Sequence, residues 1–278
     1  MILSLNDDRL IMEFLSGRYT GAPQGYGIHV KFPLSYLIAS LYRIAPAYDW
    51  YGYTMLGLMA VCVLLVCLRI ARITEEKRNK RILAGGAFTL AVFAVGEHFV
   101  SITYSVVAAI IGATILFLYG TTDGRKKDIL IVGILSAVTW CLRYHLFYMI
   151  LPVAGLIWLF RDVFAKKSFL AKIAVPLVVA VFVGVSMLIN YGMYSSSQWQ
   201  KFEAFNTSRI TIYDNPNDYY FPGYEEKQEY YDALELNNAE RRLLIYYGLL
   251  LGRDDIPTDT FHKMVEIREN YGDNESEY

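Results

Sequence analysis

Cysteine is scarce in this chain: Cys62, Cys67 and Cys141 are the only three, and each lies inside an apolar run. Cys62 and Cys67 stand five apart, too far along a helix to pair comfortably, and no spacing suits a metal. A disulfide scaffold and a structural zinc module are therefore excluded, and the three read as small buried apolar residues. The chain also lacks a phosphate-binding Gly-Lys-Ser/Thr loop and a His-Glu-x-x-His pair, which argues against an ATPase subunit or a zinc protease. No internal repeat and no low-complexity segment occurs. The sequons Asn206-Thr-Ser208 and Asn274-Glu-Ser276 matter only in a eukaryotic secretory setting.

Charge is sparse and unevenly placed. Residues 1–190 carry 18 Lys/Arg against 10 Asp/Glu, whereas residues 191–278 carry 8 against 17, so the formal net charge of −1 is a cancellation. A basic apolar part with an acidic tail does not suggest nucleic-acid binding. The basic residues form short runs beside apolar segments, where the positive-inside rule puts them.

Six apolar stretches approach the roughly 20 residues that cross a bilayer as a helix: 50–70, 82–95, 102–119, 129–142, 146–160 and 173–189. Only Arg143, Tyr144 and His145 separate the fourth from the fifth. Together those two exceed a single crossing, which predicts two helices. Every second loop is basic: Lys77, Arg78, Lys80 and Arg81; then Arg125, Lys126 and Lys127; then Arg161, Lys166, Lys167 and Lys172. Those loops are assigned to the cytoplasm, and both ends of the chain to the opposite side. A translocated start without a signal peptide implies a spanning helix before Asn6, so the chain reads as a fragment of a longer protein. The expected architecture is all-α: a polytopic transmembrane bundle of about six spans in the plasma (inner) membrane. It comprises an extracytoplasmic loop over 1–48, a membrane domain over 49–190 and a small acidic, mainly helical extracytoplasmic domain over 191–278. Within the loop, residues 33–46 read as an interfacial or re-entrant helix bounded by Pro33 and Pro46, after a Gly-rich turn region over 17–27. In the tail, 225–234, 238–251 and 258–271 show helical patterns.

Three pairs of residues could carry chemistry. Asp7 and Asp8 open the first loop; a carboxylate at a membrane–water boundary can act as a base or a cation ligand. Glu97 and His98 close the second apolar stretch, where an ionisable pair is either an interfacial cap or part of a substrate or metal site. Arg143 and His145 occupy the fourth junction. A guanidinium there either snorkels, pairs with Glu97, or meets a phosphate, whose oxygens its fork matches. Many of the 23 tyrosines, Tyr42, Tyr51, Tyr104 and Tyr144 among them, flank membrane boundaries and read as an aromatic belt.

The run Asn6-Asp-Asp-Arg-Leu-Ile-Met-Glu-Phe-Leu-Ser-Gly-Arg-Tyr-Thr-Gly21, with Phe32-Pro-Leu-Ser-Tyr-Leu-Ile-Ala-Ser-Leu-Tyr-Arg43 and Asp49-Trp-Tyr-Gly52, resembles a group of bacterial polytopic membrane proteins. Their architecture is similar to the GT-C superfamily of membrane glycosyltransferases, which use polyprenyl-phosphate-linked sugars. The resemblance implies an acidic motif at the start of the outer loop, matched by Asp7 and Asp8, and a juxtamembrane helix, matched by 33–46. It implies a polyprenyl-phosphate sugar donor, an envelope glycan or protein acceptor, and a divalent cation as a cofactor to be considered. Asp7 or Asp8 would be the base, Arg143 and His145 would hold phosphate, and Glu97 and His98 would stand nearby. Two departures are the missing first helix and a span count below that usual for the superfamily. A flippase, polymerase or transporter of lipid-linked glycans, or a non-catalytic membrane subunit, are the alternatives.

Overall fold

The computed structural model describes residues 2–3, 6–27, 29–74, 79, 82–83, 85–89, 96, 101–165 and 167–213. The chain divides into a unit over Met1–Met193 and a unit over Tyr194–Tyr278. The first holds α1 (Asn6–Ser16), α2 (Phe32–Ile44), α3 (Trp50–Ile73), α4 (Tyr104–Thr121), α5 (Lys126–Trp158) and α6 (Phe169–Met193), with a π-helical turn over Leu159–Val163. Two residue pairs, Ile2–Leu3 and Ser101–Ile102, form a short parallel ladder. In the second unit α7 (Ser197–Tyr213) is the described element. Half of the stretch 82–95 and all of the helical patterns over 225–271 lie outside the described residues, as do Glu97 and His98.

Local chemistry explains where the helices start. Pro33 sits in the first turn of α2, where a missing N–H costs nothing. The Asp49 side chain caps α3 by accepting the Gly52 N–H at 3.0 Å. Thr103 caps α4 by accepting the Val106 N–H at 3.3 Å. Before α2 the chain turns at Gly17, whose φ of +79° favours glycine and where a Cβ would stand 2.3 Å from the Ala22 carbonyl carbon. Along α2 the residues Phe32, Ser35, Ile38, Ala39 and Tyr42 recur at helical spacing and are buried, while Leu37 and Ile44 are exposed on another face.

Four stretches among the described residues are long and apolar enough to cross a membrane: Trp50–Ile73, Tyr104–Thr121, Lys126–Val163 and Phe169–Met193. The third is not one straight rod. At Arg143 the backbone leaves helical geometry (φ −154°, ψ 91°). Thr122 then touches both ends of the element: its hydroxyl donates to Asp128 at 3.1 Å, and its carbonyl accepts from Arg161 at 2.7 Å. A continuous helix would hold Asp128 and Arg161 about 50 Å apart at 1.5 Å per residue. Residues 126–142 and 144–158 are therefore two antiparallel arms with Arg143 at the tip. The break frees the Cys141 carbonyl, which accepts the backbone N–H of Lys31 at 2.7 Å. Close approach is bought with a small residue: a Cβ on Gly133 would lie 2.7 Å from Val178 of α6.

The arrangement gives this unit two polar ends. The Arg143 end joins α1, α2, the starts of α3 and α4, and the tip of α5. The Asp128 end joins the last turns of α3 and α4 to both feet of α5. Between them lies a core that includes Met55, Met59, Ile111, Ile115 and Leu142.

Candidate functional site at the Arg143 end

Asp7 and Asp8 are in the first turn of α1, not in a loop. Successive residues on a helix point about 100° apart, so the two part company. Asp7 is exposed and Asp8 is 0% exposed. One Asp8 oxygen, Oδ1, accepts the Tyr51 hydroxyl at 2.7 Å and the Tyr104 backbone N–H at 2.9 Å. Tyr104 opens α4, so the carboxylate also lies at the favourable end of that helix dipole. The other oxygen, Oδ2, is buried and has no hydrogen-bond partner among the described residues. Burial pushes the Asp8 carboxyl above its ordinary value, and the charge of Asp7 pushes the same way. The Tyr51 and Tyr104 hydrogen bonds, and the charge of His29, pull it down.

A hydrogen-bonded relay fixes this arrangement. The Tyr42 hydroxyl of α2 donates to Asp49 at 3.1 Å and accepts the Tyr51 N–H at 3.0 Å. The Tyr51 hydroxyl continues the relay to Asp8 and hence to α4. Tyr42, Tyr51 and Tyr104 read from sequence as belt residues; the hydroxyls of the first two and the backbone N–H of the third tie four helices together.

Arg143 stands beside the same residues. It donates to the Ser105 hydroxyl and, at 3.4 Å, to the Tyr104 hydroxyl, and its guanidinium lies 5.5 Å from the centre of the Tyr104 ring. Among the described residues its partners are hydroxyls and a ring, with no carboxylate in ion-pair range. His145 is exposed and its ring lies 3.9 Å from that of Tyr144, over which Lys31 sits at 5.1 Å. His29 lies 5.9 Å from the Tyr104 ring. The structure thus gathers Asp7, Asp8, Arg143 and His145 at one end, and adds Tyr51, Tyr104, His29 and Lys31. The described residues form no group of three or more His, Cys, Asp or Glu able to hold a metal. The divalent cation raised as one option for the Asp pair has no ligand set among them beyond that pair, and Asp8 is sealed from solvent.

The Asp128 end was not legible as a site. Arg69 is 2% exposed and donates to Asp128 at 3.1 Å, to the Thr121 hydroxyl at 3.1 Å and to the Thr121 carbonyl. Asp128 also accepts from Arg72 at 3.2 Å and from Thr122. Asp162 accepts from Lys167 at 2.7 Å, from the Tyr119 hydroxyl at 3.0 Å and from Arg161 at 3.5 Å. An arginine within an apolar run, and lone acids among basic flanks, were the available signals. Every charge in this network is answered, as a structural clamp requires.

Between the ends, a cavity of about 350 Å³ lies among α4, both arms of α5 and α6. Its lining is apolar except for Ser136 and Tyr119, and it includes Phe147, Ile150 and Trp158 of the second arm. Leu151 joins this lining to the exposed apolar surface, being 42% exposed.

No protein family, no curated protein and no solved structure matches this chain.

Proposed function

We propose that the chain is a GT-C-type membrane glycosyltransferase, or part of one, that moves a sugar from a polyprenyl-phosphate donor to an envelope glycan or protein acceptor. The observation that carries this reading is the convergence on Tyr104 of Asp8, through the backbone N–H, and of Arg143, a guanidinium whose described partners are neutral. In the reaction the acceptor oxygen bonds to the anomeric carbon and its proton passes to an aspartate. The sugar–phosphate C–O bond breaks, and its electron pair leaves on the polyprenyl phosphate. Arg143 meets the charge gathering there, with a fork that matches phosphate oxygens. The apolar cavity adds support: the second arm of α5 runs from Arg143 through Phe147 to Trp158, so a hydrocarbon tail held there would extend from a phosphate held at the tip.

Counting the arms of α5 separately, with 82–95 as a further crossing, gives six spans. The basic loops would face the cytoplasm, and the Arg143 end and both termini the other side. Labelling from outside should reach a cysteine replacing the exposed Thr20 and not one replacing the exposed Lys127, on a background without native cysteines. The opposite pattern would invert the topology.

The function is tested with the protein reconstituted in vesicles with a labelled polyprenyl-phosphate sugar and an envelope acceptor. Arg143→Ala should lower transfer by about two to three orders of magnitude, as loss of a charge-stabilising donor does. Undiminished transfer would remove Arg143 from the chemistry. A transporter of lipid-linked glycans is the second reading, favoured by the buried Asp8 oxygen that has no partner among the described residues, since such groups inside membrane proteins often carry protons. Movement of the lipid-linked sugar across the bilayer with its phosphate bond intact would make that reading the leading one.

A further inference from the structure

The two adjacent aspartates differ in almost every physical respect. Asp7 is exposed in the first turn of α1, and its charge acts on both Asp8 and the Tyr104 phenol. Asp8 is 0% exposed and spends one oxygen on the Tyr51 hydroxyl and the Tyr104 N–H. Neither Asp8 oxygen can be reached by an acceptor hydroxyl, which needs approach to about 3 Å to hand over a proton. What Asp8 does hold is the start of α1 against the first residue of α4, one residue from Ser105 and within the same cluster as Arg143.

Resting on the transferase reading above, we infer that Asp7 is the carboxylate that takes the acceptor proton, and that Asp8, aimed by Tyr51, is a positioning residue that holds the start of α1, and Asp7 with it, against Tyr104, the residue that Arg143 also bonds. The acceptor O–H bond breaks as its oxygen bonds to the anomeric carbon, and the proton ends on Asp7. Asp8 forms and breaks no bond. Its contribution is to fix α1, because a base displaced by about 1 Å loses much of its advantage.

Asparagine separates the two roles. Its carbonyl oxygen can accept both hydrogen bonds now made to Asp8 Oδ1, but it cannot take up a proton. In vesicles, Asp7→Asn should cut transfer by about two to four orders of magnitude, the range for losing a general base. Asp8→Asn should cost less than about tenfold. Asp8→Ala should fall well below it, and Tyr51→Phe should lie between, since one of the two anchors remains. Restoration by Asn of what Ala loses is the sign of positioning. Full activity in Asp7→Asn with abolished activity in Asp8→Asn would overturn the assignment.

A second measurement stands apart from turnover. A water-soluble carbodiimide with an amine, read by mass spectrometry on the folded protein, should modify Asp7 and leave Asp8 unmodified. Tyr51→Phe and Asp8→Ala should each alter the rate at Asp7, because its setting changes. A wild-type protein that transfers nothing sinks the transferase reading and, with it, the proton step at Asp7. Equal modification of Asp7 and Asp8 sinks the division of roles, whatever the activity.

Discussion

At the Asp128 end, Arg69 is as buried as any core residue and every polar contact it needs is present: a carboxylate, a hydroxyl and a backbone carbonyl. At the Arg143 end, Asp8 is equally buried but has only one of its oxygens answered among the described residues, where Arg143 meets hydroxyls and a ring. The two ends share α3, α4 and α5, so the contrast does not come from those helices. A saturated network can only hold parts together. An unsaturated one keeps charge and lone pairs in reserve for something else, and leaving them unsaturated costs stability.

Breaking the saturated end should give the largest effect. Arg69→Ala leaves Asp128 buried beside a single partly exposed arginine, and should cost about 3–5 kcal/mol, the range for breaking a buried pair. Thermal unfolding in detergent measures it. A loss no greater than that of an exposed ion pair would place this network among surface decorations. The same change should leave the environment of Asp8 untouched, so carbodiimide reactivity at Asp7 should hold wherever the variant remains folded.

A smaller loss is expected at the turn that delivers α1 to the Arg143 end. Gly17→Ala forces a side chain into positive φ and against the Ala22 backbone. It should destabilise by about 1–3 kcal/mol. Unlike the first change, it should also disturb Asp7 reactivity, because α1 loses its exit geometry. A stable variant with normal reactivity would show that the turn does not govern the placement of α1.

The smallest effect is a slope. Burial raises the Asp8 pKa above its unfolded value, so its contribution to stability is fully present below the unfolded pKa and is lost as pH rises through the folded one. Wild type should therefore lose stability relative to Asp8→Asn as pH climbs from the acid range to neutrality. Paired melting curves across that window test the sign. Parallel curves for the two proteins would mean that the Asp8 carboxylate is better compensated than its hydrogen bonds suggest.

Much of the fold was legible because hydrocarbon-length runs and charged breaks are one-dimensional signals. The stretches 50–70, 102–119 and 173–189 foreshadow α3, α4 and α6, and the Arg143–His145 interruption marks the tip of α5. Pro33 marked α2 in the same way. What escaped was pairing across distance. Arg69 and Asp128 lie 59 residues apart, and no local pattern joins them. Tyr51 and Tyr104 looked like boundary tyrosines because burial of a hydroxyl depends on what packs over it. Asp7 and Asp8 looked equivalent because only the phase of α1 against α4 tells them apart.

The tip of α5 carries one more consequence, for the order in which the molecule is made. The Cys141 carbonyl, freed by the break at Arg143, is answered by the backbone N–H of Lys31, a group that among substitutions only proline removes. The hairpin of α5 therefore emerges from the ribosome with an open polar group at its bend, and the group that closes it was synthesised far earlier. Until α2 docks, water or lipid head groups must solvate that carbonyl, since hydrocarbon cannot. The bend can mature only at a wet boundary and only after the preceding loop has reached the same side of the membrane. On the proposed topology, translocation of the first loop would then be a checkpoint on the packing of a hairpin made long after it.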